Sequence, residues 1–193
     1  MTTETIDAFE TGATSAAANN LVLSVLNDGN VYEDREHCGF AMLQGSNHHL
    51  SFRDLANNEA AKQRHQFGSK FKAAEISEAA KLIQADTIAH CLEIIREEWN
   101  GENITCYGRH WWDRINGNTY FSARIVIPTA SGHRWVAVPF QYGYGSQWEW
   151  ECRHVLARMG FEGMADGFAS EHPLNFEFQG LMKKSQMFTG LYI

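Results

Sequence analysis

Apolar residues recur at three- and four-residue spacings from Ile76 through Ala80, Ile83, Ile88, Leu92 and Ile95 to Trp99. That period predicts one long helix over about 73–99, stopped by Asn100-Gly101. Past the glycine the period falls to two. Three runs rich in β-branched and aromatic residues, 104–113, 118–128 and 133–140, are separated by the turn signals Arg114-Ile-Asn-Gly117 and Thr129-Ala-Ser-Gly132. They predict a three-stranded antiparallel meander. In its middle strand Phe121, Ala123, Ile125 and Ile127 share one face, while Tyr120, Ser122, Arg124 and Val126 share the other. This is the pattern of a sheet covered on one side, with Tyr and Arg pointing outward from the second.

Other elements flank this centre. Ser51 followed by Asp54 is an N-cap signature for a helix over about 52–66. Ser146, with Glu149 in the first turn and Gly160 beyond the end, frames a helix over about 147–159. The run from Asn20 to Leu26, ending in Asn-Asp-Gly, is either a short strand or a short helix, and Gly39–Leu43 can pair with it as an edge hairpin. Residues 1–18 read as a flexible leader. The Gly-, Phe- and Met-rich last 33 residues read as irregular wrapping with short strands at best. The expectation is an α+β protein, a leader at 1–18 and a single domain over 19–193. Its core order is α-β-β-β-α, a three-stranded meander packed against helices, with N- and C-terminal extensions. Double-stranded-RNA-binding domains share that order, but they open their last helix with lysines to meet phosphates, whereas this one opens with Glu149 and Glu151.

Composition adds a charge asymmetry. The chain of 193 residues carries a formal charge of −7, yet residues 100–160 hold six Arg and four acids, a net +2, which leaves −9 elsewhere. The whole therefore suits a partner with a basic surface, while the centre offers a local arginine face. No apolar run reaches the ~20 residues that span a bilayer, and the N-terminus lacks a basic start and an apolar stretch, so no membrane is expected and the cytoplasm is the expected location. Cys38, Cys91, Cys106 and Cys152 are widely spaced, which predicts buried reduced thiols.

Chemistry is sparse by comparison. His and Cys neighbours make no C-x2-C or H-x3-H pair, and Cys106 and His110 on one strand lie about 13 Å apart, too far to share an ion. No metal or other cofactor is implied. Gly143-Tyr-Gly-Ser-Gln147 is neither a phosphate loop nor a nucleophile elbow. An acid–base pair drawn from His110 and Asp113, or from Glu149, Glu151 and His154, needs tertiary contacts that sequence does not reveal. An enzyme is thus the least supported class. Recognition is better supported, because Trp, Tyr and Arg dominate binding hot spots and stack on bases. The candidate protein-binding residues are Arg109, Trp111, Trp112, Asp113, Arg114, Asn116, Asn118, Tyr120 and Arg124 on the meander. Glu75, Glu78, Asp86, Glu93 and Glu97 join them on the long helix, as acids able to imitate phosphates. The candidate nucleic-acid set is Arg109, Arg114, Arg124, Arg134, Tyr142 and Tyr144. Trp111 and Trp112 alternate across their strand, so at least one is expected in the core.

The string Trp111-Trp112-Asp113-Arg114-x-Asn116-Gly117-Asn118-Thr119-Tyr120-x-Ser122, followed about 20 residues later by Tyr142-Gly-Tyr-Gly145, resembles a motif of small proteins of tailed bacteriophages. The likeness covers some 40 to 50 residues, with Trp112 standing where that family has Phe and Phe121 where it has His. It implies a phage origin and brings no activity with it. Together with the charge pattern it points to a non-enzymatic protein that inhibits or modulates a host protein or protein–nucleic acid complex, in the manner of anti-CRISPR or antirestriction proteins. A nucleic-acid-binding accessory protein is the alternative. A homodimer is compatible with unprotected sheet edges.

Overall fold

The computed structural model describes residues 15–45, 51–161 and 174–187. In chain order these form α1 (Ala16–Asn27), α2 (Gly29–Leu43), α3 (Phe52–Phe67), α4 (Ala73–Glu98), β1 (Ile104–Asp113), β2 (Asn118–Thr129), β3 (Gly132–Tyr142), α5 (Gln147–Arg158), β4 (Leu174–Leu181) and a 3₁₀ turn at Lys184–Met187. The protein is α+β, and the described residues fall into two compact units. One takes in residues 15–35 and 51–84, and the other residues 36–45, 85–161 and 174–187. Helices α2 and α4 contribute residues to both.

The first unit is helical. Ser15 accepts a hydrogen bond from Ala18 N at 3.1 Å and caps α1, whose Ala18, Leu21 and Val25 are buried on one stripe. Ser51 and Asp54 complete the capping box of α3. Ala18 and Leu21 pack with Ala60 and Ala79. The buried Glu59 carboxylate accepts a 2.6 Å hydrogen bond from the Ser24 hydroxyl. This replaces part of the hydration that burial strips from it.

The second unit holds the sheet, in the order β3-β2-β1-β4. The expected meander is there as β3-β2-β1, antiparallel throughout, but a fourth strand adds to β1 in parallel, so the sheet is mixed. Phe121, Ala123, Ile125 and Ile127 of β2 lie on the inner face and are fully buried with Ile104, Cys106, Val136 and Val138. Helix α5 covers that face with Trp148, Cys152 and Leu156. At ~1.5–3 kcal/mol for each buried large apolar side chain, this layer is the unit's main source of stability. Gly108 permits it: a Cβ there would sit 2.5 Å from Trp148 Cδ2, so only hydrogen leaves room for the indole against β1.

Three expectations are overturned. Residues 20–26 and 39–43 are helical rather than an edge hairpin. Gly39, read as a turn signal, lies inside α2, where a Cβ would meet Cys91 Sγ at 2.6 Å and Thr87 Cγ2 at 2.9 Å. It marks a close helix–helix approach, which single-chain turn statistics cannot separate from a turn. The last 33 residues hold more than short strands, because Leu174–Leu181 is an eight-residue strand recruited by pairing with β1. Nor does the outer sheet face present all its polar residues to solvent, since Ser122 and Arg124 are buried. Of the expected leader, residues 1–14 lie outside the described ones, and α1 begins at Ala16. His48 and His49 also lie outside. All four cysteines are buried, as expected, and none forms a disulfide.

Replacing Gly108 by Ala forces the Trp148 ring off β1 and is expected to cost about 1–3 kcal/mol of stability. Urea denaturation should show a lower midpoint at an unchanged slope. An unchanged midpoint would mean that α5 is not seated by this contact.

Candidate functional site

The outer face of the sheet takes alternate residues of each strand, so Tyr107, Arg109 and Trp111 of β1 lie opposite Arg124, Ser122 and Tyr120 of β2. A bulge between Phe121 and Ala123 shifts the register with β3, and Tyr142 ends opposite Tyr120. Two kinds of side chain result. At the hairpin end, aromatic rings cross the strands in a row: Trp111 lies 5.3 Å from Tyr120, Tyr120 stacks on Phe140 at 5.2 Å, and Tyr142 meets Tyr120 edge-on at 5.7 Å and Tyr144 at 5.0 Å. Tyr142 donates a hydrogen bond to the Tyr144 hydroxyl at 2.5 Å, and Tyr144 reaches Asn118 Oδ1 at 3.4 Å. This sharing raises the Tyr142 phenol above its usual range.

In the middle of the face lie two arginines. Each is only 8% exposed. The Arg124 guanidinium lies over Tyr107 at 5.4 Å and Trp135 at 5.7 Å, a pair of cation–π contacts. Arg109 donates through Nε to the neutral amide oxygen of Gln179 on β4, at 2.6 Å. Burial, and for Arg109 also the charge of Arg124, push both guanidinium pKa values below their usual range. Between them the buried Ser122 hydroxyl has no hydrogen-bond partner among the described residues. The expectation that Arg124 and Tyr120 point freely outward is thus corrected. Tyr120 is half-buried in the ring row, and Arg124 lies flat over rings because a guanidinium gains more from stacking on aromatics than from an extended side chain.

At the tip, Asp113 builds the turn rather than a site. Its carboxylate accepts from Ile115 N at 3.1 Å and Asn116 Nδ2 at 2.7 Å, and Gly117, at φ 70°, closes the loop onto Asp113 O. The Asn116 hydrogen bond in particular holds the Asp113 carboxyl below its usual range. Arg114 and Ile115 are left to project, Ile115 93% exposed. Neither Trp111 nor Trp112 is in the core, against expectation: Trp111 is half-buried with Lys184 Nζ 4.9 Å above its ring, and Trp112, on the inner-face parity but past the end of the helix layer, is 51% exposed. A groove of about 530 Å³ runs between these residues and Leu181–Lys184. Lys183 and Lys184 were missed by sequence reasoning, although they are the only lysines after Lys81.

The remaining candidates scatter. Arg134 is committed to structure: it donates to Glu98 through Nε and Nη2 at 2.6 and 2.9 Å and lies 5.0 Å over Phe40. Among the acids of α4, Glu75 accepts from Lys72 N at 2.7 Å, Glu93 is 3.7 Å from Arg96, and Glu75, Glu78 and Asp86 are half-buried. Exposed positions from 85 onward recur every four residues as Ala85, Ala89, Glu93 and Glu97, so half of that stripe is alanine. Among the described residues no three His, Cys, Asp or Glu come together as metal ligands, and no helix is long and apolar enough to cross a membrane. His110, at half burial beside Phe178, is held below its usual pKa by desolvation. No family model matches the chain, and a search of the curated proteins returns no match.

Glu98 titrates below its ordinary 4.5, chiefly because Arg134 hydrogen-bonds its charged form. A depressed carboxylate stabilises the fold above its unfolded pKa and loses that contribution as pH falls through the folded one. Both partners are more than a third exposed, so screening limits the effect to about 1 kcal/mol or less. Glu98→Gln is therefore expected to lower the urea midpoint slightly at pH 7 and to match the parent chain near pH 3. A difference that persists at low pH would show that the ion pair is not its source.

Proposed function

We propose that the protein is a non-enzymatic binding protein of phage type that modulates a host protein or protein–nucleic acid complex, and that it grips this partner with its hairpin tip. The observation that carries the reading is the cluster of exposed apolar side chains at one end of the sheet, Trp112 at 51%, Ile115 at 93% and Leu181 at 70%, around a groove rimmed by Arg114, Lys183 and Lys184. Exposed large apolar residues grouped in this way are unfavourable in water unless something covers them, and Trp and Arg are the usual anchors of an interface. The groove lining contains one carboxylate, Asp113, and it is occupied by the turn, so no acid–base pair faces the space. The acidic helix supports the alternative of phosphate imitation less well, because its acids are partly buried, partly paired and interspersed with alanine.

Capture of partners from a bacterial lysate with the tagged full chain, with and without nuclease, tests the reading. A nuclease-resistant protein at near-stoichiometric amount is expected. Trp112→Ala with Ile115→Asp should reduce its recovery at least tenfold, as befits a hot spot, while Glu93→Lys with Glu97→Lys leaves it intact. The opposite ranking of the two variants would move the site to α4, and a partner lost to nuclease would remove the protein–protein reading.

A further inference from the structure

We infer that the connection between α3 and α4 is a docking surface for a membrane leaflet of anionic lipid. Local structure sets this surface up. Helix α3 ends at Phe67, and Gly68, at φ 69°, turns the chain toward α4. Phe71 then packs on the cluster of Ala18, Leu21, Ala60 and Ala79, while its neighbours Lys70 and Lys72 are exposed. Arg64, in the last turn of α3, is exposed as well. From residue 61 to 74 the sequence holds four cations and no acid. Lys62 is engaged by Asp28 at 2.7 Å and Glu59 at 3.5 Å, but the Arg64, Lys70 and Lys72 side chains form no ion pair among the described residues. The nearest acid in sequence, Glu75, accepts from the Lys72 backbone N–H at 2.7 Å. Arg64 suits the negative C-terminal end of α3. Lys70 and Lys72, by contrast, precede the positive N-terminal end of α4, where a cation is unfavourable, so the fold itself does not account for them.

Phe67 selects among the anionic partners that three cations could meet. It is 77% exposed and makes no ring contact among the described residues. A duplex backbone or an acidic protein patch satisfies the cations and leaves this ring in water, and a stacking surface for unpaired bases uses several rings in succession. A lipid leaflet sets anionic headgroups at the level of the cations and an apolar layer directly beneath, which takes the ring. The contact is peripheral and needs no spanning helix. The chain as a whole carries −7, but screening confines the reach of each charge to about 8 Å at physiological salt, so the cations at the contact govern it. The proposal is independent of the hairpin-tip reading, because all its residues belong to the helical first unit.

Co-sedimentation of the full chain with phosphatidylcholine vesicles, prepared with and without phosphatidylserine, tests the inference. Binding is expected only where phosphatidylserine is present, and it should weaken as salt rises. Lys70→Glu with Lys72→Glu should reduce it about tenfold or more. Phe67→Ser should reduce it about fivefold or more, and Phe67→Leu should preserve it. These positions are exposed, so the urea midpoint of each variant should match that of the parent chain. Trp112→Ala with Ile115→Asp should leave vesicle binding intact. No binding to phosphatidylserine vesicles at about 100 mM salt, or indifference to either the lysine reversal or Phe67→Ser, would overturn the inference. Binding of duplex DNA or polyglutamate in place of the vesicles would assign the cations to a soluble polyanion and overturn it equally.

Discussion

The packing of Trp148 against Gly108 is the contact from which the second unit's organisation follows. It seats α5 on β1, and with Cys152 and Leu156 it closes the inner face of the sheet into a dry layer with Phe121, Ile125 and Ile127. Once that face is committed, every alternate residue of the strands must lie on the other side, where no helix among the described residues provides comparable cover. The chain meets this requirement with large side chains that shield one another. Arginines lie flat on Tyr107 and Trp135, rings pack on rings, and Lys184 caps Trp111. The outcome is a face whose centre, at Arg109, Ser122 and Arg124, is buried.

The same division explains the two ends of that face. At the hairpin, Asp113 and Asn116 spend their polar groups on the turn, and the Arg114 and Ile115 side chains between them project into solvent. The strands outrun the helix layer there, and Trp112 emerges on the side where α5 no longer reaches. The residues proposed for recognition thus lie at positions where the fold's own demands have run out. This is also why Arg134, similar in sequence context to Arg124, is not one of them. It lies on the inner-face parity near α4, and Glu98 holds it in a bidentate pair.

Much of the fold was legible where one period dominated. The four-residue recurrence of α4, the alternation in β2 and the Ser51 capping box translate directly into the observed elements. Legibility failed where a residue type has two physical uses. Gly39 and the Asn-Asp-Gly near 28 read as turns, yet one is a packing glycine within a helix and the other a short break between two helices. β4 escaped notice because its partner is β1, 70 residues away in sequence for the Arg109–Gln179 bond, and parallel pairing leaves no local turn signal. Among the site residues, the hairpin string was visible as chemistry, but Lys183, Lys184 and Leu181 join it only through that long-range pairing.

Hydrogen–deuterium exchange of the full chain, free and with its captured partner, tests the central proposal that recognition belongs to the hairpin end of the sheet. The account predicts slowed exchange in the β1–β2 turn at 113–118 and in 181–184, with α4 from 85 to 98 unchanged. Slowed exchange confined to that stretch of α4, with the turn unaffected, would contradict it and assign recognition to the acidic helix.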